Sequence, residues 1–137
     1  MNQPMYIIWT DSCNLGIPII DEQHRGIVST INSLYYFVSQ GKGYDALLPT
    51  LRIMEQYSIL HFETEERIME HARYPGLERH HRLHCELTNQ TKTVLASAAL
   101  HHEPDKALHF LKDWWLTHIN VDDRNYVDWL AKPLPKP

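Results

Sequence analysis

Glycine is scarce in this chain, five residues in 137, and apolar residues recur at helical spacing over long stretches. Together these predict an all-α protein. Cysteine is scarcer still: Cys13 and Cys85 are too few for a disulfide framework or a zinc finger, and both read as reduced thiols. No cluster of Lys and Arg occurs and the formal net charge is −4, which argues against nucleic acid as a partner. The longest apolar runs fall far short of a bilayer's thickness, and Met1 Asn2 Gln3 Pro4 Met5 has no basic stretch leading an apolar one. The expectation is a soluble, cytoplasmic chain with no membrane span. Its length suits one compact domain with a real core. What is abundant is histidine, with ten residues.

The histidines are ordered most clearly between residues 61 and 84. His61 and Glu65 stand four apart, and beyond a break at Tyr74 Pro75 Gly76 the pair His80 and His84 repeats that spacing. Residues four apart on a helix lie one above the other on the same face, so each pair can present two ligands to one point. Two such helices joined by a tight turn run antiparallel, which brings the Glu of the first toward the imidazoles of the second.

Taken in order, residues 1–20 read as an arm broken by Pro4, Gly16 and Pro18 and carrying Trp9. A first helix is expected near Asp21, with Asp21 and Glu22 at the positive end of its dipole. Its inward stripe would be His24, Ile27, Val28, Ile31, Tyr35 and Val38. Gly41 Lys42 Gly43 ends it. A second helix from about Tyr44 tolerates Pro49 if that residue lies in the first turn, and carries Leu47, Leu51, Met54, His61, Glu65, Ile68 and Met69 on or near one face. A third, Leu77 to Ala99, turns His80, His84, Leu87, Thr91 and Val94 or Leu95 inward. After the loop His101 to Asp105, a fourth carries Leu108, Leu111, Trp115 and His118. Short connections favour an up-down-up-down antiparallel four-helix bundle over residues 21–130, whose core is the usual place for a metal held by facing helices. Residues 131–137 form a Pro-rich tail.

The inward faces offer five imidazoles, His24, His61, His80, His84 and His118, and two carboxylates, Glu65 and Asp123. Seven donors exceed one tetrahedral zinc. A carboxylate can bridge two metals, so a dinuclear iron site is the economical reading. Asp123 lies five residues after His118, poor stacking for a regular helix, so the fourth helix should end or bend between them.

The sequence resembles the hemerythrins, and more closely their single-domain bacterial members, over nearly its whole length. The resemblance is carried by Trp9, Gly16, Asp21 Glu22 Gln23 His24, His61 Phe62 Glu63 Thr64 Glu65, the His80 to His84 pair, and His118 Ile119 with Asp123 and Tyr126, several motifs in the right order. It implies two non-haem iron ions. His24 and His61 would bind one, His80, His84 and His118 the other, and Glu65, Asp123 and an oxo or hydroxo group would bridge them. It further implies that O2 binds the first iron at its vacant position.

A single inward histidine is more often a hydrogen-bonded core residue than a ligand; the neighbours of His24 select it. His71, His81, His101, His102 and His109 read as solvated, and Cys85 as packing. Trp115 stands one turn before His118 and, with Ile119, marks a candidate O2 pocket by the resemblance, in a position where many bacterial members have Leu. A larger ring there should narrow the pocket, slowing O2 exchange and water entry. Tyr126 either hydrogen-bonds near Asp123 or caps the core. Three functions stay open on the sequence: reversible O2 binding for storage, delivery to an oxygen-using enzyme or sensing; a di-iron peroxidase, oxidase or nitric oxide reductase; and a bundle with a structural or zinc ion. The enzyme reading needs a proton donor beside the open iron, and the inward stripes offer no obvious spare acid or base.

Overall fold

The computed structural model describes residues 5–118 and 122–130, and every regular element among them is helical. A 3-10 turn at Asp11–Cys13 precedes α1 (Pro18–Ser39), α2 (Gly43–His71), α3 (Leu77–Leu100), α4 (Pro104–Thr117) and the short α5 (Arg124–Leu130). Helix α1 packs on α2 and α4, α2 on α3, and α3 on α4. The Pro-rich tail and Ile119 lie outside the described residues.

Helix α1 starts at Pro18 rather than at Asp21. Proline is suited to the first helical position, where its amide would be unpaired anyway and its φ is already helical. Asp21 therefore lies one turn inside and works on the loop before the helix: its two oxygens accept from the amides of Leu15 (2.7 Å) and Gly16 (3.1 Å). At the far end Gly41 adopts φ +73°, the left-handed conformation that ends a helix cheaply, and the amides of Gly41 and Lys42 return to Val38 and Phe37. Because α2 begins at Gly43, Pro49 falls in the second turn rather than the first. It is exposed there, so the helix carbonyl it cannot pair faces water.

Each helix buries one stripe. Ile27, Ile31 and Leu34 of α1 meet Leu47 and Met54 of α2, Leu87 and Leu95 of α3, and Leu108 and Leu111 of α4 in one apolar cluster. Gly26 allows α1 to approach α2 closely, since a Cβ there would lie 2.4 Å from the Tyr57 hydroxyl. Residues before α1 are laced to it: the Asn32 side chain accepts from the amides of Tyr6 and Ile7 and donates to the Ile7 carbonyl, and Ile7 is buried. Burial also falls on polar residues: on His24, His61, Glu65, His80, His84, Thr91 and His118 of the expected stripes, and on Gln23, Thr50, Ser58 and Asp123 outside them. Among the described residues no helix is long and apolar enough to cross a membrane.

Candidate metal centre

The seven donors come from five places along the chain. His24 lies in the second turn of α1, His61 and Glu65 in the last third of α2, His80 and His84 at the start of α3, His118 just past α4 and Asp123 just before α5. All seven are at most 6% exposed. Their ligand atoms form two groups, within each of which every atom lies no more than 4.8 Å from the others: His24, His61, Glu65 and Asp123, and Glu65, His80, His84, His118 and Asp123. The two carboxylates belong to both.

The expectation that the fourth helix breaks between His118 and Asp123 is met. Helix α4 ends at Thr117, and the Asp123 amide donates to the His118 carbonyl at 2.9 Å, closing a five-residue turn wider than an α turn. Asp123 can therefore point to the same place as His118.

The spacings have a common explanation. Two ligands about 2.1 Å from one ion and at right angles to each other stand about 3.0 Å apart. His24 Nε2 lies 3.0 Å from His61 Nε2 and 3.0 Å from Asp123 Oδ2, and His61 Nε2 lies 2.9 Å from Glu65 Oε1. On the other side Asp123 Oδ1 is 2.9 Å from His118 Nε2 and 3.2 Å from His80 Nε2, and Glu65 Oε1 is 3.4 Å from His84 Nε2. Asp123 thus turns one oxygen to each group. Glu65 turns Oε1 to both, while Tyr126 donates its hydroxyl to Oε2 at 2.7 Å.

Hydrogen bonding leaves this cluster unsatisfied. Glu65 Oε1, the Nε2 atoms of His80, His84 and His118, and both Asp123 oxygens are buried without a hydrogen-bond partner. Each such atom costs about 1–3 kcal/mol, so the arrangement makes sense as a set of ligand atoms for cations, and imidazoles with shared carboxylates suit a pair of first-row transition ions. The electrostatics agree. Burial opposes charge on Glu65, but the close imidazoles of His61, His118 and His84 outweigh it and hold the carboxyl well below its usual range. Burial and the neighbouring Glu65 both oppose ionisation of Asp123, and His118 and His24 overcome them to bring it to about 2. Burial would lower His118, yet Asp123, Asp122 and Glu65 raise it well above the ordinary imidazole value.

Around the donors stands a shell that the sequence pattern reveals only in part, at Tyr126 and Trp115. The amide oxygen of Gln23 faces His61 Nδ1 at 2.9 Å, and since that oxygen only accepts, Nδ1 carries the proton and Nε2 is free for an ion. Gln23 is held in turn by Thr64. Glu66 Oε2 lies 2.8 Å from His84 Nδ1, while its Oε1 bonds His81. Phe62 stacks on His84 with centroids 4.0 Å apart. Tyr126, undecided on sequence grounds, is fully buried; burial, then the charges of Glu65 and Asp123, push its hydroxyl pKa far up, so it remains a donor. Trp115 is also fully buried, with its ring centroid 6.4 Å from His24 and 5.8 Å from His61.

His71, His81, His101, His102 and His109 are exposed as expected, although His81 has a partner in Glu66 and His102 stacks on Tyr44. Cys85 is not packed: it is exposed, with its sulfur 3.6 Å from His81 Nε2.

The family model described as Hemerythrin HHE cation binding domain matches residues 15–130. The chain belongs to the hemerythrin family. Among its relatives, the bacteriohemerythrin of Pseudomonas aeruginosa is 32% identical over 124 residues, 90% of this chain and 80% of that one. The bacteriohemerythrin of Stenotrophomonas maltophilia shares 32% over 89% of this chain and 80% of its own. The myohemerythrin of Riftia pachyptila shares 27% over 123 residues, 90% of this chain and 92% of its own. The hemerythrin match begins at Leu15, the residue whose amide Asp21 binds, and ends at Leu130, the last residue of α5.

Proposed function

We propose that this hemerythrin binds O2 reversibly at a non-haem di-iron centre, with His24 and His61 on one iron, His80, His84 and His118 on the other, and Glu65 and Asp123 bridging them with a solvent-derived oxygen. The observation that carries the reading is the pair of unequal donor groups sharing two carboxylates. Counting donors leaves the two-histidine ion one ligand short of its neighbour, so that ion has the position for an exchangeable ligand. An iron pair bound there supplies the electrons for reversible O2 binding.

The chain's own residues decide how gently. Five imidazole ligands against two carboxylates give less anionic charge than a carboxylate-rich site, which disfavours deep oxidation of the metal. Trp115 lies against the centre between His61 and His118, its ring 5.8 and 5.7 Å from theirs, and keeps bulk water from the O2 pocket of this reading. Tyr126 and Gln23 fix Glu65 and His61 in the orientations that aim their ligand atoms inward. This disposition fits a carrier rather than an enzyme.

The donors sit early in α1, late in α2, early in α3 and past the end of α4. That alternation supports an up-down-up-down antiparallel bundle that begins at Pro18, preceded by an arm. In the cell we place it in the cytoplasm, storing O2 or passing it to an oxygen-using enzyme.

The deciding experiment is an optical spectrum of the iron-loaded, reduced protein under anaerobic conditions, after addition of O2, and after purging with inert gas. Bands that appear with O2 and vanish on purging are expected. Bands that persist, or direct bleaching to an oxidised form, would overturn the carrier reading in favour of oxidation chemistry.

A further inference from the structure

The two donor groups are backed by groups of different charge. Behind the two-histidine group, His61 leans on the neutral amide of Gln23 at 2.9 Å, and His24 Nδ1 has no hydrogen-bond partner. Behind the three-histidine group, His84 leans on the carboxylate of Glu66 at 2.8 Å, and Asp122 brings a second carboxylate to 3.8 Å from His118 Nδ1. Among the described residues, the carboxylates facing these Nδ1 atoms thus stand on the three-histidine side.

We propose that Glu66 is a positioning residue that makes the three-histidine ion the easier of the two to oxidise. The proposal rests on the di-iron reading above. A carboxylate accepting the Nδ1 proton of a ligating imidazole fixes its tautomer and makes its other nitrogen a stronger donor, which favours the higher metal charge; an amide does the first and little of the second. The geometry for this is tight. His84 is 2% exposed, Phe62 stacks on its face at 14°, and Glu66 is held at its other oxygen by His81 on the surface. The arrangement leaves the carboxylate 24% exposed, enough for water to weaken its charge without removing it. The step concerned is loss of one electron from that ion to a one-electron acceptor, in the titration the oxidised form of a redox mediator, which is reduced as the ion is oxidised, with no bond broken and no proton passed to Glu66.

The test is a mediated redox titration of the whole iron-loaded protein, following its two one-electron steps separately. Glu66→Gln keeps the shape and removes the charge. It should shift the oxidised-to-reduced ratio of the first step about tenfold toward reduced at fixed poise, about 59 mV for a one-electron couple, and leave the second nearly in place. Gln23→Glu puts a charge behind the other ion and should make the second step easier while sparing the first. An unmoved first step in Glu66→Gln, or equal movement of both steps in either variant, overturns the proposal. If Glu66→Gln loads iron poorly, Glu66→Asp, with its charge kept, must hold the first step near that of the unsubstituted protein, and failure to do so is equally fatal. Irreversible behaviour toward O2 in the unsubstituted protein would count against the functional reading alone, because both redox steps remain measurable with mediators.

Discussion

Trp115→Leu tests the reasoning through the space that the indole fills. The indole is fully buried and its centroid stands 5.8 Å from the His61 ring and 5.7 Å from that of His118. Replacing it by an isobutyl group empties roughly 60 Å³, enough for about two waters at their liquid volume. The emptied space adjoins polar ligand atoms, so water has partners there and the cavity fills. The cavity term, about 24 cal/mol per Å³, comes to about 1.4 kcal/mol. If closure of the site by Trp115 has a free energy of that order, water gains access about tenfold more readily. The O2-bound form should then decay to the oxidised form about tenfold faster, followed as loss of its absorbance at constant O2. The metal-free variant should also melt roughly 5 °C lower. Lowered melting with an unchanged decay rate would refute the gating role, because it would show a real cavity without consequence for the centre.

Tyr126→Phe removes the donor at 2.7 Å from Glu65 Oε2 in a site closed to water. Urea unfolding of the metal-free variant should show a loss of about 1–3 kcal/mol, and a loss below about 0.5 kcal/mol would mean that the carboxylate finds another partner. The metal-free protein should also show a stability optimum in pH. Glu65 and Asp123 have depressed pKa values, so their stabilisation is present above the ordinary carboxylate range and is lost as pH falls toward about 2, the Asp123 value. His118 is raised, so its stabilisation is complete below its ordinary value near 6.5 and is lost as pH climbs through the raised one. The urea midpoint should therefore be highest between about pH 4 and 6.5; a midpoint still rising from pH 7 to 9 would contradict the sign for His118.

The donor set is legible in the sequence because helical spacing is a local property. His61 with Glu65 and His80 with His84 share faces through the backbone alone, and the structure brings both pairs together with His24, His118 and Asp123. The odd spacing from His118 to Asp123 is legible as a break for the same reason. Gln23 and Glu66 are not, since their partners lie 38 and 18 residues away and only tertiary packing decides which polar neighbour of a ligand turns inward. Glu66 also hides in a run with Glu63, Glu65 and Glu70 that reads as a solvated face. Gln23 does carry one signal: it adjoins His24 and precedes the apolar Ile27 by four, which places it on the edge of the buried stripe. The start of α1 departs from expectation because proline, a barrier inside a helix, is at home as its first residue.

The wide turn between His118 and Asp123 has an evolutionary reading. An uninterrupted α register would set Asp122, not Asp123, one turn below His118, and the chain carries a carboxylate at both positions. Loss of a single residue from the intervening segment would bring Asp123 to the regular spacing of four, and gain of one would bring Asp122 to the spacing of five that Asp123 now holds. The adjacent acids therefore buffer this segment against a change of one residue in either direction, since each change leaves a carboxylate four or five residues after His118.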